Sequence, residues 1–411
     1  MTGPDHTITE RLAAHLVRPV DAASRDRARL HLLDWLGCVG AARRSPVALK
    51  LEGEPAIERA AWLGNLFEMD DVHRGAILHP GPVVWPTALQ GDAADIATLL
   101  DAAVRGYEAI IAIGATFDAR HYARFHTSAT AGGFGAAATA ASLNDADADR
   151  YVAALGLAGS VTGGLWQMRL ESNDAKQWHI AHCVETGRRA ARMAKQGVTG
   201  PKAILEGQLG LHAASCDAPR PLVLGEGWRI GEVSFKPWGA CRHAHPAIDA
   251  ALELKRRGQL NGRVEVETYA DAITFCDRPT PASVNQAKFS LQHAVAIVME
   301  RGEPSLADFE PDSFDALAQA RAQVTVREGS DFTSRYPAHF GAAIRSASGE
   351  VVRIDTLGDP ERPMDRDAIV AKATALLSWG GVSDAGIDAA LTAALDSEDP
   401  RAALDWIETW A

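Results

Sequence analysis

Histidine and cationic side chains are concentrated at a few positions next to predicted helix starts. His126 precedes a run of small residues, TSATAGGFGAAATAAS. If this run is helical, His126 lies beside the unpaired N–H groups and the positive dipole end of the helix. Carboxylates bind well there, and histidine can exchange protons near neutral pH. We therefore predict proton-transfer chemistry on a carboxylate, against the simpler alternative of a hydrogen-bonded core histidine.

A second candidate segment, residues 68–86, crowds titratable side chains into a loop interrupted by glycine and proline. Its candidate site residues are Glu68, Asp70, Asp71, His73, Arg74 and His79. Loops with this density of titratable groups between strong helices are usually functional rather than merely solvated. We predict that this loop contributes to a binding site.

Lys176 stands at the end of a polar loop, just before a predicted helix that carries His179, His182 and Cys183. The helix dipole disfavours a lysine there, so its presence indicates a bound anion, the alternative being an exposed surface lysine. His179 and His182 have metal-ligand spacing, but no nearby acidic ligand completes a site. We interpret both as core or supporting histidines.

The segment FKPWGACRHAHPAIDAA places Lys236, Cys241, Arg242, His243 and His245 before another predicted helix. Its Cys-x-His-x-His spacing suggests a metal, but the sequence offers no fourth ligand. A cationic loop leading into a helix start is the more economical interpretation. It predicts a second anion-binding position.

Composition excludes several classes of protein. The 411 residues are 47% hydrophobic and 23% charged, as in an ordinary globular enzyme. A net charge of −12 without a basic block argues against nucleic acid and anionic membranes as partners. The five scattered cysteines lack a CxxC pair, which argues against disulfides and structural zinc. Without a signal-peptide pattern or membrane span, we expect a cytoplasmic location.

Hydrophobic periodicity predicts two domains. Helical patterns occupy most of residues 7–110, with Ser24 as an N-cap, and the small-residue run forms a central helix capped by Thr127 or Ser128. After Asp217, β-like runs such as WRIGEVSF, RVEVETYAD, AQVTVRE and GEVVRIDTL alternate with helical stretches. The predicted fold is mainly α: residues 1–225 with 370–411 form a large all-helical domain, and residues 226–369 form a smaller α+β lid.

Four stretches in this order resemble the MmgE/PrpD family, which includes 2-methylcitrate dehydratase, cis-aconitate decarboxylase and iminodisuccinate epimerase. They are EMDDVHRGAILHP, FHTSATAGGFGAAATAA, NDAKQWHIAHCVETG with GVTGPKAILEG, and FKPWGACRHAHPAIDAA with AKFSLQHAVA. The resemblance covers about residues 30–305. It implies a homodimer without cofactor or metal, in which each protomer has a helical domain, an α+β lid and an active site in the cleft between them.

The resemblance places the family's active-site histidines and lysine on His79, His126, Lys176 and His245. Three positions depart from its pattern. Glu68 replaces an aspartate, Val72 replaces a threonine, and His293 replaces a tyrosine. With the four matching residues as the expected catalytic set, His293 becomes a further acid–base candidate. The remaining titratable residues of the acidic loop, with Lys236 and Arg242, are expected to bind substrate.

Three functions follow from this set. The first is a lyase that removes water or carbon dioxide from a small di- or tricarboxylate, because both reactions develop negative charge next to a carboxylate. The second is an epimerase or isomerase of a polycarboxylate such as an iminodisuccinate, in which His293 supplies a second acid–base group. The third is a non-catalytic dimeric binding protein, which has no need for several buried cationic groups.

Overall fold

The structure is a computed structural model that describes residues 6–171 and 173–411. The chain divides into two compact units. The helical unit comprises the described residues up to Leu66, together with Asp70–Val233 and Arg366–Ala411. The mixed unit comprises Phe67–Met69 and Ser234–Asp365. The sequence-based boundaries were expected near residues 225 and 370.

Among the described residues, the helical unit begins with eleven helices, four of which are capped by an aspartate side chain. Its first helices are α1 (Ile8–Leu16), α2 (Ala22–Ala42), α3 (Pro46–Lys50), α4 (Ala56–Leu63), α5 (Gly81–Leu89), α6 (Ile96–Gly114), α7 (Ala119–Arg124), α8 (Thr127–Leu143), α9 (Ala148–Gly159), α10 (Ala175–Lys195) and α11 (Leu211–Ser215). Asp21, rather than Ser24, caps α2, because its side chain accepts the Ser24 backbone N–H. The prediction for Ser24 was wrong.

Helix α8 is the central element of the helical unit. Every residue from Thr127 to Ala141 is buried, and the helix packs mainly against α6 and α10. Small side chains allow this close approach: a Cβ on Gly187 of α10 would collide with Ala136 of α8. The prediction of a central small-residue helix is confirmed.

The mixed unit combines short helices with one small sheet. Its helices are α12 (His245–Arg256), α13 (Ala270–Cys276), α14 (Val284–Lys288), α15 (Leu291–Glu300), α16 (Asp312–Ala316), α17 (Ala318–Arg321) and α18 (Ser330–Arg335). Its strands are β1 (Val264–Thr268), β2 (Val324–Glu328), β3 (Ala342–Ser346) and β4 (Gly349–Arg353). The strand order is β2-β1-β3-β4, with β1 parallel to β2 and the other pairs antiparallel. Helix α12 packs against β3 and β4.

One predicted strand is absent where the sequence WRIGEVSF reads as extended. Residues Arg229–Glu232 form a 3₁₀ turn in the helical unit. The Arg229 backbone N–H donates to the buried Glu108 carboxylate at 2.8 Å, and Glu232 pairs with His73 at 3.0 Å. These contacts give polar groups of the segment their partners without pairing to a neighbouring strand. The strand prediction for this run was wrong.

The chain then returns to the helical unit through α19 (Arg366–Trp379), α20 (Asp384–Leu395) and α21 (Ala402–Trp410). Helix α19 lies against α2, where Lys372 Nζ is 2.5 Å from Asp34 Oδ1 and both side chains are buried. The fold is therefore mainly α, with a large helical unit and a smaller α+β unit, as predicted. None of the described helices is long and apolar enough to cross a membrane.

Candidate functional site

The loop before α5 holds His79 at the start of that helix. His73 and Leu78 exchange backbone hydrogen bonds of 2.8 and 3.3 Å, which close the loop. The backbone N–H of His79 donates to Ser128 Oγ in the first turn of α8, at 2.9 Å. The His79 side chain is 15% exposed. The loop therefore fixes His79 against the start of the central helix.

The imidazole of His79 is oriented by two acceptors on one side. Its Nδ1 lies 2.8 Å from Asp70 Oδ2 and 3.0 Å from the Asp71 carbonyl oxygen. Asp70 is buried, and its Oδ2 also accepts a hydrogen bond from Asn65 Nδ2 at 2.6 Å. Because Nδ1 faces acceptors, it carries the proton, and Nε2 presents the lone pair in the neutral ring.

The Asp71 carboxylate holds the backbone of the same loop. It accepts hydrogen bonds from the Gly81 N–H at 2.9 Å and from Tyr107 Oη at 2.6 Å, and it lies 2.8 Å from His31 Nδ1. Burial lowers the pKa of His31 to about 4 and raises that of Tyr107 well above its usual value. Asp70 and Asp71 were predicted to bind substrate; in the structure, Asp70 Oδ2 and both carboxylate oxygens of Asp71 contact groups of the protein.

His73 likewise serves the structure of the loop. It is buried, its Nδ1 accepts the Ala76 N–H at 3.0 Å, and its Nε2 lies 3.0 Å from Glu232 Oε2. Burial lowers the pKa of His73. Both ring nitrogens are engaged, which does not support the predicted substrate contact. Arg74, predicted alongside it, is half-buried in the same loop.

His126 is the N-cap residue of α8 by its backbone, although its side chain makes no capping hydrogen bond. Thr127 and Ser128, the predicted caps, lie in the first helical turn, so that prediction was wrong. The His126 ring is 2% exposed and lies 4.8 Å from the Trp166 ring, centroid to centroid. Its Nδ1 is 3.3 Å from Nδ1 of His179.

The charges around His126 show which groups the fold brings together. Burial lowers the pKa of His126 well below its usual range. Positive charge on Lys176, His179 or His79 lowers this pKa further. The carboxylate of Asp70 acts in the opposite direction and raises it. The ring is therefore neutral at neutral pH, within reach of the electrostatic field of each of these groups.

Lys176 lies within the first turn of α10, half-buried, rather than just before the helix. His179 follows it by three residues, a spacing that places both on one face of the helix. The sequence alone led us to interpret His179 as a core or supporting histidine. Its three-residue spacing from Lys176 is the pattern that could have placed it beside the site. The helical unit thus gathers His79, His126, Lys176 and His179.

The remaining predicted residues belong to the mixed unit. Its first helix, α12, begins at the fully buried His245, whose Nε2 lies 3.1 Å from the Ala240 carbonyl oxygen and whose Nδ1 lies 3.2 Å from Arg242 Nη1. Arg242 is buried and ion-paired with Asp359. Lys236 Nζ lies 3.5 Å from Glu68 Oε2, both side chains being buried. Internal pairing does not support substrate contact for Arg242, Lys236 or Glu68.

His293 is a satisfied core histidine. It is fully buried; its Nε2 lies 2.9 Å from the Asp308 carbonyl oxygen, and its Nδ1 lies 3.2 Å from Arg321 Nη1. Burial lowers its pKa to about 4. A ring with both nitrogens occupied inside one unit does not support the predicted acid–base role.

The Cys-x-His-x-His segment does not converge on a metal position. His243 Nδ1 lies 2.6 Å from Tyr269 Oη, and its ring stacks on Phe340 at 5.2 Å. Within the described chain, the three residues whose ligand atoms lie within 4.8 Å of one another are His339, Asp355 and Glu361. There His339 Nδ1 lies 2.7 Å from Asp355 Oδ1, a contact that an ordinary ion pair explains.

Comparison with known proteins assigns family models to both parts of the chain. The model of the MmgE/PrpD N-terminal domain matches residues 56–222, and that of the MmgE/PrpD C-terminal domain matches residues 238–396. Cis-aconitate decarboxylase from Homo sapiens is 24% identical over 253 residues, covering 53% of this chain and 52% of the human protein. The chain thus matches about half the length of this curated relative.

Proposed function

The chain belongs to the MmgE/PrpD family, and we propose that it is a lyase acting on a small di- or tricarboxylate by loss of water or carbon dioxide. The observation that carries this proposal is the grouping of His79, His126 and Lys176 in the helical unit. Two imidazoles can transfer protons, and an ammonium group can bind a carboxylate. The human relative's name, cis-aconitate decarboxylase, is compatible with this substrate class.

The proposed chemistry assigns a role to each of the three residues. Lys176 binds a substrate carboxylate and stabilises negative charge that develops on the adjacent carbon. In dehydration, one histidine Nε2 takes the proton from that carbon, the C–O bond breaks as the double bond forms, and the other histidine protonates the leaving hydroxyl. In decarboxylation, the C–C bond to carbon dioxide breaks, and a histidine N–H protonates the carbon that retains the electron pair.

His245 is retained as a proposed site residue because it matches the family pattern. Its contacts with Arg242 and the Ala240 carbonyl fix the ring at the start of α12, the helix that follows the cationic loop. Both ring nitrogens of His245 are engaged, as they are in His293, so the family match alone supports its proposed role in proton transfer or substrate orientation. Glu68, Lys236 and Arg242 are proposed to support the fold of the mixed unit.

Epimerisation of a polycarboxylate is the alternative reaction for the same residues. His79 and His126 could remove and return a proton on opposite faces of a substrate carbon. The contacts of His293 weaken this alternative. The sequence favoured an epimerase because His293 could have supplied the second acid–base group. A non-catalytic binding protein is the remaining alternative.

A solvent-exchange experiment separates these reactions. Purified protein is incubated in deuterated water with a panel of di- and tricarboxylates, and proton NMR follows each substrate. Loss of water or carbon dioxide supports the proposal, whereas solvent exchange with inversion alone supports the epimerase. The same panel is run with His126→Gln, expected to lose about 10²- to 10⁴-fold in turnover, and with the matched control His182→Gln. No change in any substrate overturns the enzymatic proposal.

The proposal also includes operation without a metal or organic cofactor, because each chemical step is assigned to side chains. Activity should survive dialysis against a chelator, and activity that disappears and is restored by zinc would contradict this part. The cytoplasmic location expected from the sequence likewise remains a prediction.

We further propose a homodimer, as the family resemblance implies. The helical unit supports this with three exposed apolar side chains, Val161, Leu165 and Trp178, that line one cavity and are 63%, 58% and 49% exposed. Apolar surface of this kind is typical of an interaction site. Light scattering should give a dimer at micromolar concentration, and Leu165→Asp should shift it toward monomer. A wild-type protein that is monomeric at this concentration overturns the proposal of a homodimer.

A further inference from the structure

We propose that His179 is the proton partner of His126, a positioning residue that sets which ring nitrogen of His126 carries a proton. The inference rests on the proposed function, in which His126 transfers a proton to or from the substrate. It gives His179 a role that neither its sequence position nor the family match assigns.

The geometry of the contact requires a shared proton. The Nδ1 atoms of His126 and His179 lie 3.3 Å apart. Two imidazole nitrogens form a hydrogen bond only when one carries a proton and the other presents a lone pair. The backbone of His126 is held separately, since its N–H donates to the Gly164 carbonyl at 2.9 Å. The contact between the rings therefore determines which ring carries the shared proton, while the backbone hydrogen bond fixes the position of His126.

The surrounding charges keep this proton between two neutral rings. Burial, followed by the positive charge of Lys176, holds the pKa of His126 well below its usual range, and the carboxylate of Asp70 opposes this effect. Burial, followed by the charge of His182, lowers the pKa of His179. At neutral pH neither ring holds a second proton for long, and the hydrogen bond between them has two arrangements.

The two arrangements give His126 opposite reactivity. With the proton on its own Nδ1, the Nε2 atom of His126 has a lone pair and acts as a base. With the proton on Nδ1 of His179, the Nε2 atom of His126 carries hydrogen and acts as an acid. The pair therefore converts one catalytic histidine between both roles.

The same contact provides a path for a proton taken from the substrate. When Nε2 of His126 accepts that proton, the Nδ1 proton passes to His179, and His179 releases its Nε2 proton to water. His126 is 2% exposed, whereas His179 is partly exposed and lines a cavity of about 430 Å³. The positive charge thus moves from the more buried ring to the less buried one, and the reverse sequence delivers a proton to His126.

Nitrogen-15 NMR of the imidazole rings tests the pairing without relying on turnover. In the wild-type protein, the His126 ring signals should be averaged between the two arrangements. His179→Phe removes the partner, and His179→Asn retains a polar group near Nδ1 that cannot relay a proton. Both variants should shift the His126 signals to those of a single tautomer, and turnover should fall by about tenfold or more with KM nearly unchanged.

His182→Phe is the matched control, because His182 lies one turn along α10, lines the same cavity and contacts Thr186. It should leave the His126 signals and turnover unchanged. His126 signals that are identical in wild type and in both folded His179 variants overturn the inference, even if turnover falls. Wild-type protein that converts no acid in the panel contradicts the proposed function instead, and the NMR comparison still decides whether His179 sets the tautomer.

Discussion

Asp70 Oδ2 lies 2.8 Å from Nδ1 of His79, so that a buried carboxylate orients this imidazole. His126 is oriented differently, by a second imidazole 3.3 Å away. A carboxylate can only accept the Nδ1 proton, whereas an imidazole can accept or donate it. The helical unit therefore holds His79 in a single tautomer, whereas His126 can adopt both tautomers.

The first prediction follows from the Asp70 contact. Asp70→Asn can present an amide N–H to His79 Nδ1, in competition with the Asp71 carbonyl that accepts from the same atom, and should shift the tautomer toward a proton on Nε2. Turnover measured on the substrate identified by NMR should fall by about 10²- to 10⁴-fold, the usual contribution of a general base. Circular dichroism should show an unchanged fold.

Asp95→Asn is the control for Asp70→Asn, because Asp95 caps α6 at the surface and accepts the Thr98 N–H. It should retain wild-type turnover. A folded Asp70→Asn protein with wild-type turnover across the pH range would show that this carboxylate does not determine the reactive tautomer.

The second prediction concerns Lys176. Lys176→Ala should raise KM and lower turnover together, because the ammonium group is proposed to bind the substrate and to stabilise the developing charge. Lys176→Arg should recover part of the binding. Lys50→Ala removes an exposed lysine that pairs with Asp174 near the start of α10, and steady-state kinetics should show little change. Equal effects of Lys176→Ala and Lys50→Ala would remove Lys176 from the site.

The third prediction separates packing from catalysis at His293. His293→Phe leaves the Asp308 carbonyl and Arg321 without their imidazole partner. Loss of such buried hydrogen bonds should lower the free energy of unfolding by about 1–3 kcal/mol, measured by urea denaturation. Turnover per folded molecule should stay within about twofold of wild type. A large loss of turnover at unchanged stability would return His293 to the acid–base set.

Parts of the fold follow from residue types alone. The small side chains of α8 predict a central helix because they have little volume, and the valines of β1 and β2 alternate with polar residues in a strand pattern. Strand β3, with the sequence AAIRS, lacks that alternation, and the sequence did not predict it. Its strand geometry depends on pairing with β1 and β4.

The partners of individual side chains could not be predicted. The sequence makes His293 an acid–base candidate, but Asp308 and Arg321 reach it from segments 15 and 28 residues further along the chain. Asp70 and Asp71 similarly resemble substrate ligands in the sequence. In the structure, their carboxylate oxygens accept hydrogen bonds from Asn65, Tyr107 and Gly81. Residue type indicates which chemistry is available, whereas tertiary contacts determine which groups remain available for it.

The last prediction concerns acid stability and His121. This imidazole is fully buried and stacks on Phe117 with ring centroids 3.9 Å apart. Within the described chain its ring nitrogens have no hydrogen-bond partner, and burial lowers its pKa to about 4. In an unfolded chain a histidine titrates near about 6.5, so the unfolded state binds more protons between these values.

The free energy of unfolding should therefore fall as pH decreases from about 6.5 to about 4, by up to about 1.4 kcal/mol per pH unit for this group. His121→Phe removes the titrating ring, which should flatten that slope and preserve or raise stability at pH values near about 5. Urea denaturation at several pH values measures both effects. Phe117→Leu weakens the packing but retains the imidazole, so it should lower stability while preserving the slope. An unchanged slope in His121→Phe would show that His121 does not contribute to acid destabilisation.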